Sequence, residues 1–247
     1  MPEPQQESEI AITPERKPAA ARLRPRDAAT LILLDRRGKG APKVLMGRRN
    51  PNLAFMPGKF VFPGGRIELG DRHMPVAGAL PDYAEAALTR QVSRPPHHLG
   101  RALALAAIRE TYEETGLLLG TREHGAPEDA PAGWEGFARH GVLPDLEALH
   151  LVARAITPPK RVRRFDTRFF AVDRRLVAAE EPGRVSADAE FTELAWVRLD
   201  AARALDLPYI TRAVLDDLEA QIAADFAPHR MIPFHFERYG RRERIPL

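Results

Sequence analysis

The sequence predicts an α/β protein on three observations. Short apolar runs bounded by turn residues, at 28–34, 43–46, 150–156 and 165–172, read as strands. An Ala/Leu-rich run beginning near Leu99 carries Leu105, Ile108 and Tyr112 at three- and four-residue spacing, which makes one apolar stripe on a helix ending near Leu117. A second helical stripe, Ile210, Val214, Leu215, Leu218 and Ile222, follows the last strand and is expected to cover the sheet.

The bulk properties bound what such a protein does. At 247 residues the chain holds one substantial core, or one domain with an elaborate insertion. It has no cysteine, which excludes disulfides, thiolate zinc sites and thiol nucleophiles. No apolar run approaches eighteen residues, so no membrane span is expected. A net charge of +3 with a pI near 9.4 suits phosphorylated or other polyanionic partners without demanding nucleic acid. No secretory apolar segment is present, and Glu3, Glu7, Glu9 and Glu15 argue against a transit peptide. The final Ile245-Pro246-Leu247 does not match a Ser-Lys-Leu address, so the expected location is cytoplasmic.

Residues 1–26 combine Pro2, Pro4, Pro14, Pro18 and Pro25 with polar residues and alanines and read as a disordered tail. The main domain is expected over 27–227. Its opening strand, 28–34, is followed by turn chemistry at 38–42 and a return strand from Lys43. Arg48 and Arg49 close that second strand, either as phosphate contacts or as a solvated strand end. Phe60-Val61-Phe62 leads through Pro63 into Gly64 and Gly65, adjacent glycines that let backbone approach a ligand closely.

A segment at 72–98 contains a helical pattern at 82–92 between Pro81 and Pro95-Pro96, with Tyr83, Ala87, Leu88 and Val92 on its domain face. Residues 121–129 form a polar connection, and 134–140 a short helix with core aromatics. The strand at 150–156 is halted by Thr157-Pro158-Pro159. Next come Lys160, Arg161, Arg163 and Arg164, then a strand in which Arg168 stands among Phe165, Phe169 and Phe170. A charge there needs a partner, so Arg164 and Arg168 are candidates for phosphate or substrate binding. The same Arg-and-aromatic run suits an RNA backbone with stacked bases. Residues 190–197 read as a late strand, and 228–247 as a Pro- and Arg-containing tail whose Phe234 and Phe236 pack back.

Chemistry concentrates at 109–117. Glu110, Glu113 and Glu114 share a face, and like charges three and four residues apart cost a few tenths of a kcal/mol per pair in a helix. Acidic residues near a helix C-terminus also oppose its dipole. A hard divalent cation, which takes carboxylate oxygens, would offset both costs. Gly116 can adopt the left-handed conformation that ends such a helix, with Leu117 folding back.

The run Arg109-Glu110-Thr111-Tyr112-Glu113-Glu114-Thr115-Gly116-Leu117 resembles the second half of the Nudix box. That family pattern is Gly, five residues, Glu, seven residues, then Arg-Glu-apolar-x-Glu-Glu-x-Gly-apolar. Thr111 stands where an aliphatic residue is usual. The stretch from Phe62 to Asp71 is similar to the first half, with Gly65 as the leading glycine and Asp71 in place of Glu. Residues 72–108, thirty-seven in all, separate the halves where seven are usual. Such a split resembles a Nudix subgroup of the peroxisomal coenzyme A diphosphatase type.

The resemblance implies a Nudix α/β/α sandwich with a mixed central sheet and a helical insertion, 72–98, inside the box and near the mouth of the site. It implies hydrolysis of a phosphoanhydride in a nucleoside diphosphate derivative, with Mg²⁺ or Mn²⁺ held by Glu110, Glu113, Glu114 and the Gly64 carbonyl. Arg109 would orient the glutamates and pair with Asp71. Glu113, Glu68 or Glu193 would accept the proton of the attacking water, with Glu190 a neighbouring candidate. Gly65, Arg48, Arg49, Arg164 and Arg168 would meet substrate.

Gly58, Arg49, Leu45 and Met46 fit part of a signature shared by coenzyme A-cleaving members, while Asn50 and Ala54 depart from it. Coenzyme A or an acyl derivative is therefore the first expected substrate. ADP-ribose, NADH and capped RNA are alternatives, as is a ligand-binding regulator without turnover. The expected partner is a small molecule, without a membrane, and a homodimer is an allowed assembly.

Overall fold

The computed structural model describes residues 23–159 and 161–247, so residues 1–22 of the tail expected over 1–26, and Lys160, lie outside the described residues. Strands β1 (Arg26–Asp35), β2 (Lys43–Arg49), β3 (Phe60–Val61) and β4 (Gly64–Arg66) open the chain. Helices α1 (Asp82–Thr89) and α2 (Leu99–Thr115) follow, then β5 (Leu117–Leu119) and α3 (Glu135–His140). The second half supplies β6 (His150–Ile156), β7 (Phe165–Asp173), β8 (Val177–Glu180), β9 (Phe191–Arg198), α4 (Tyr209–Ala223), β10 (Pro233–Arg238) and β11 (Arg241–Pro246).

Among the described residues nine strands form one mixed sheet, ordered β11-β10-β6-β7-β1-β2-β3, with β4 added to β1 and β9 to β2. β1 runs parallel to β7, and β10 parallel to β6, while the other pairs are antiparallel. β5 and β8 make a separate small ladder.

β1 shows why both faces are covered. Its apolar run is continuous, so alternate side chains go to opposite sides. Leu31 and Leu33 join the core under α2, with Leu105, Ile108 and Phe170. Ile32 and Leu34 join the core under α4, with Val214, Leu215 and Leu218. This is the expected α/β/α sandwich. No helix among the described residues is long and apolar enough to cross a membrane.

Three expectations change. Residues 228–247 are not a tail but a hairpin that extends the sheet beyond β6. The hairpin was hidden because β11 is an edge strand, where arginines and Pro246 are tolerated. Its two-residue turn is Tyr239-Gly240, both with positive φ, instead of the usual Asn-Gly. Buried His235 ties the hairpin to α4 through Asp217, at 2.6 Å, and Arg244 reaches the same carboxylate at 2.8 Å.

The second change concerns the arginines assigned to substrate. Arg168 is fully buried, donating to Asp27 at 2.7 Å and to the Asp166 carbonyl at 2.9 Å. Its neighbour Arg154 pairs with Asp166 at 2.6 Å. Arg164 donates to the carbonyls of Thr157 and Leu23 at 3.0 and 2.7 Å. Arg168 has no free surface with which to meet a substrate, and both side chains fasten the N-terminal ends of β1 and β7. The charge amid phenylalanines did need a partner, but the protein supplies it.

The third change is the insertion. α1 packs on the opening turns of α2, where Glu85 and Leu88 border Gly100. At 1.5 Å rise per residue, Gly100 lies about 15 Å along α2 from Glu110. The insertion's helix α1 therefore stands at the far end of α2 from the carboxylates and not at their mouth.

Candidate active site

The two separated motif halves meet where β4 lies beneath the last turns of α2. β4 is fixed by its antiparallel pairing to β1, which places Gly65 opposite Ala29 and Gly64 opposite Thr30. The Leu31 amide also donates to the Pro63 carbonyl at 3.0 Å. A Cβ at Gly65 would collide with the Glu110 carboxylate, and one at Gly64 with Ala29 and Thr30 backbone. The diglycine therefore sets how closely loop and helix approach. Gly65→Ala is expected to displace Glu110 and lower the thermal midpoint, checked by a melting curve of the purified variant.

Asp71 and Arg109 bridge the insertion. Asp71 is fully buried, accepting from Arg109 Nε at 2.8 Å and Nη2 at 3.2 Å. The Glu68 amide and the Trp134 indole N–H complete its shell, at 2.7 and 3.2 Å. Arg109 also donates to the Arg66 carbonyl at 2.9 Å, to Glu110 at 3.1 Å and to Glu113 at 3.0 Å. Aspartate thus makes the bond expected of glutamate. Trp134 is core, as its composition suggested, but its N–H contact with Asp71 had no sequence signal because sixty-two residues separate them.

Gly116 ends α2 with φ of 80°, as the sequence indicated. Above it the three glutamates differ. Glu113 is half-exposed and leans on Arg109. Glu110 is largely covered, and burial pushes it up to about 7, opposed by Arg109 and assisted by Glu113 and Glu190. Glu114 is buried against the loop and accepts from the Gly64 amide at 3.0 Å. Its burial raises it well above the usual carboxylate range, with Glu190 and Glu110 adding to the effect.

Glu190, the residue just before β9, is a further carboxylate that acts on this cluster. Asn50 fixes its backbone: the Asn50 amide donates to the Glu190 carbonyl at 2.8 Å, and Nδ2 donates to Ala187 and Ala189 at 2.9 and 3.1 Å. Arg49 holds its side chain at 2.6 Å and donates to the Phe55 carbonyl at 3.0 Å.

Glu193 and Arg48, the expected base and phosphate contact, are placed elsewhere. They pair opposite one another on β9 and β2, and Arg48 shares a sheet face with Val44 and Met46, which belong to the core under α4. Its guanidinium lies over Phe60, 6.0 Å from the ring centre. The α2 carboxylates sit on the other face. A bulge between Arg48 and Arg49 shifts the register, which a strict two-residue alternation from the sequence could not anticipate.

The donors fit a hard divalent cation, being all oxygen and including the buried Glu114 and the largely covered Glu110. Among the described residues no three His, Asp or Glu side chains are already drawn together closely enough to enclose an ion. Glu110 and Glu113 are turned toward Arg109, and Glu114 toward Gly64.

No family model matches the chain. A Nudix hydrolase of known structure from Alicyclobacillus acidocaldarius superposes with a TM-score of 0.59 at 26% identity, covering 82% of this chain and 96% of that one. Human acyl-coenzyme A diphosphatase NUDT19 is 28% identical over 205 residues, 62% of this chain and 52% of the relative. The chain is similar to Nudix hydrolases in both sequence and fold. The chain spans about half the length of the human relative it matches. The two halves that resemble the Nudix box are discontinuous in sequence and continuous in space, closed by Asp71 and Arg109.

Proposed function

We propose that the chain is a divalent-metal-dependent hydrolase of the phosphoanhydride bond in a nucleoside diphosphate derivative. One observation carries the reading: the buried Glu114 and the largely covered Glu110 converge on a diglycine loop with Glu113 and Glu190 beside them. Bringing like charges out of water is costly unless a cation joins them. Glu110, Glu113 and Glu114 would hold Mg²⁺ or Mn²⁺, the Gly64 carbonyl being a further oxygen donor. Such an ion supplies Lewis-acid polarisation of the phosphoryl oxygens and lowers the pKa of water.

The chain's own residues supply positioning and the proton acceptor. Arg109 spans Asp71, Glu110 and Glu113, so it fixes the helix carboxylates relative to the loop. Attack of water on phosphorus breaks the P–O–P bridge, and the water's proton passes to a carboxylate. Glu190 takes the place first given to Glu193, alongside Glu113 and Glu68. Arg49 leaves Glu190 to meet a phosphate oxygen when substrate arrives. Glu190→Gln is expected to reduce kcat about 10²-fold, the usual scale for general-base removal, while Glu193→Gln stays near wild type. Steady-state rates of the two variants check this.

Coenzyme A or an acyl derivative, cut to 3′,5′-ADP and a phosphopantetheine, is the substrate we favour. It is supported by the partial upstream signature at Leu45, Met46, Arg49 and Gly58, and by the diphosphatase name of the human relative. A Mg²⁺- and Mn²⁺-dependent hydrolysis screen over coenzyme A, acyl-coenzyme A, ADP-ribose, NADH and capped RNA tests both levels. Products from coenzyme A first, lost in Glu113→Gln and Glu114→Gln, are expected. Faster ADP-ribose or RNA cleavage would reassign the substrate, and binding without turnover throughout would overturn the hydrolase.

A further inference from the structure

A cavity of about 210 Å³ lies away from the carboxylates, between α1 and the 226–232 segment that precedes the C-terminal hairpin. Tyr83, Ala86 and Ala87 of α1, at helical spacing, form one wall with Arg90 just beyond the helix end. His150, Phe226 and Ile232 are among the residues that close the opposite side. The small alanines leave the space open, because no α1 side chain fills it.

The lining has two distinct chemistries. Tyr83 and Met231 are exposed apolar side chains at its edge, 40% and 65% accessible, and apolar surface gathered at a cavity marks a binding site more often than scattered exposure does. Arg90, His229 and Arg230 also line it, and among the described residues no Asp or Glu does. Inside, the His150 ring stacks on Phe226 at 4.2 Å, and its Nδ1 is buried without a hydrogen-bond partner. Burial lowers the His150 pKa, with Arg36 assisting and Asp225 opposing.

We infer that this cavity binds a small amphipathic anion, its apolar body against Ala87, Phe226 and Ile232 and its charged head between Arg90 and Arg230. The volume falls below the roughly 300–1,000 Å³ of drug-sized pockets, which selects a ligand of the size of a medium-chain carboxylate. The site is independent of the hydrolase reading, since Gly100, on which α1 rests, is about 15 Å along α2 from Glu110.

Octanoate, with octanol as the uncharged counterpart, is the probe, followed by calorimetry and by thermal shift of the full chain. Octanoate should bind and raise the thermal midpoint, with octanol weaker. Ala86→Trp, at an exposed helix position, should block the cavity and abolish the effect without unfolding the protein. Arg90→Gln and Arg230→Gln should each weaken octanoate about threefold to fivefold, the scale of a solvent-accessible ion pair. Absence of octanoate binding at millimolar concentration, or equal binding to wild type and Ala86→Trp, would overturn the site. Octanol binding as tightly as octanoate would overturn its anion selectivity.

Discussion

Arg109→Met should lower the thermal midpoint by about 6–20 °C. Removing one member of a buried ion pair costs about 3–5 kcal/mol, and a domain of this size loses about 2–4 °C per kcal/mol. The reason is local. Asp71 has no exposed surface and would keep only the Glu68 amide and the Trp134 N–H after the guanidinium is gone. The buried charge, and not the lost contact alone, sets the magnitude. The double variant Asp71→Asn/Arg109→Met removes both charges and should recover part of the loss. A change below about 2 °C for Arg109→Met, read by calorimetry, would mean that the two motif halves are not held by this pair.

Glu114→Gln should separate stability from function in the opposite sense. Without metal its melting temperature should equal or exceed that of wild type, because the amide oxygen still accepts from Gly64 while a buried charge is removed. Turnover should fall about 10²–10³-fold, equivalent to about 3–4 kcal/mol of lost transition-state stabilisation. A variant that melts far below wild type would assign Glu114 to the fold. One that turns over normally would remove it from the site.

What the sequence disclosed follows from which interactions are local. Helix α2, its glutamate face and its Gly116 stop depend on spacing within seventeen residues and one cap, so periodicity and a single glycine reveal them. The diglycine loop was legible for the same reason. Long-range placement was not. Arg168 looks identical in sequence whether it meets a phosphate or Asp27, since the deciding carboxylate is 141 residues away. Glu190 and Glu193 differ by three residues, and only the fold shows that Glu190, just before β9, pairs with Arg49 while Glu193 lies opposite Arg48. The hairpin at 233–246 was obscured because edge strands tolerate charge and proline, and its Tyr-Gly turn lacks the usual signal.

The central claim is that Glu110, Glu113 and Glu114 beside Gly64 and Gly65 hold a divalent cation. Electron paramagnetic resonance titration of Mn²⁺ into the metal-free protein reads this without reference to any substrate. The account predicts saturable binding, competed by Mg²⁺ and weakened at least about tenfold in Glu110→Gln and Glu114→Gln, the scale of one charged ligand lost. Mn²⁺ that stays free in solution, or that binds wild type and both variants alike, would contradict it.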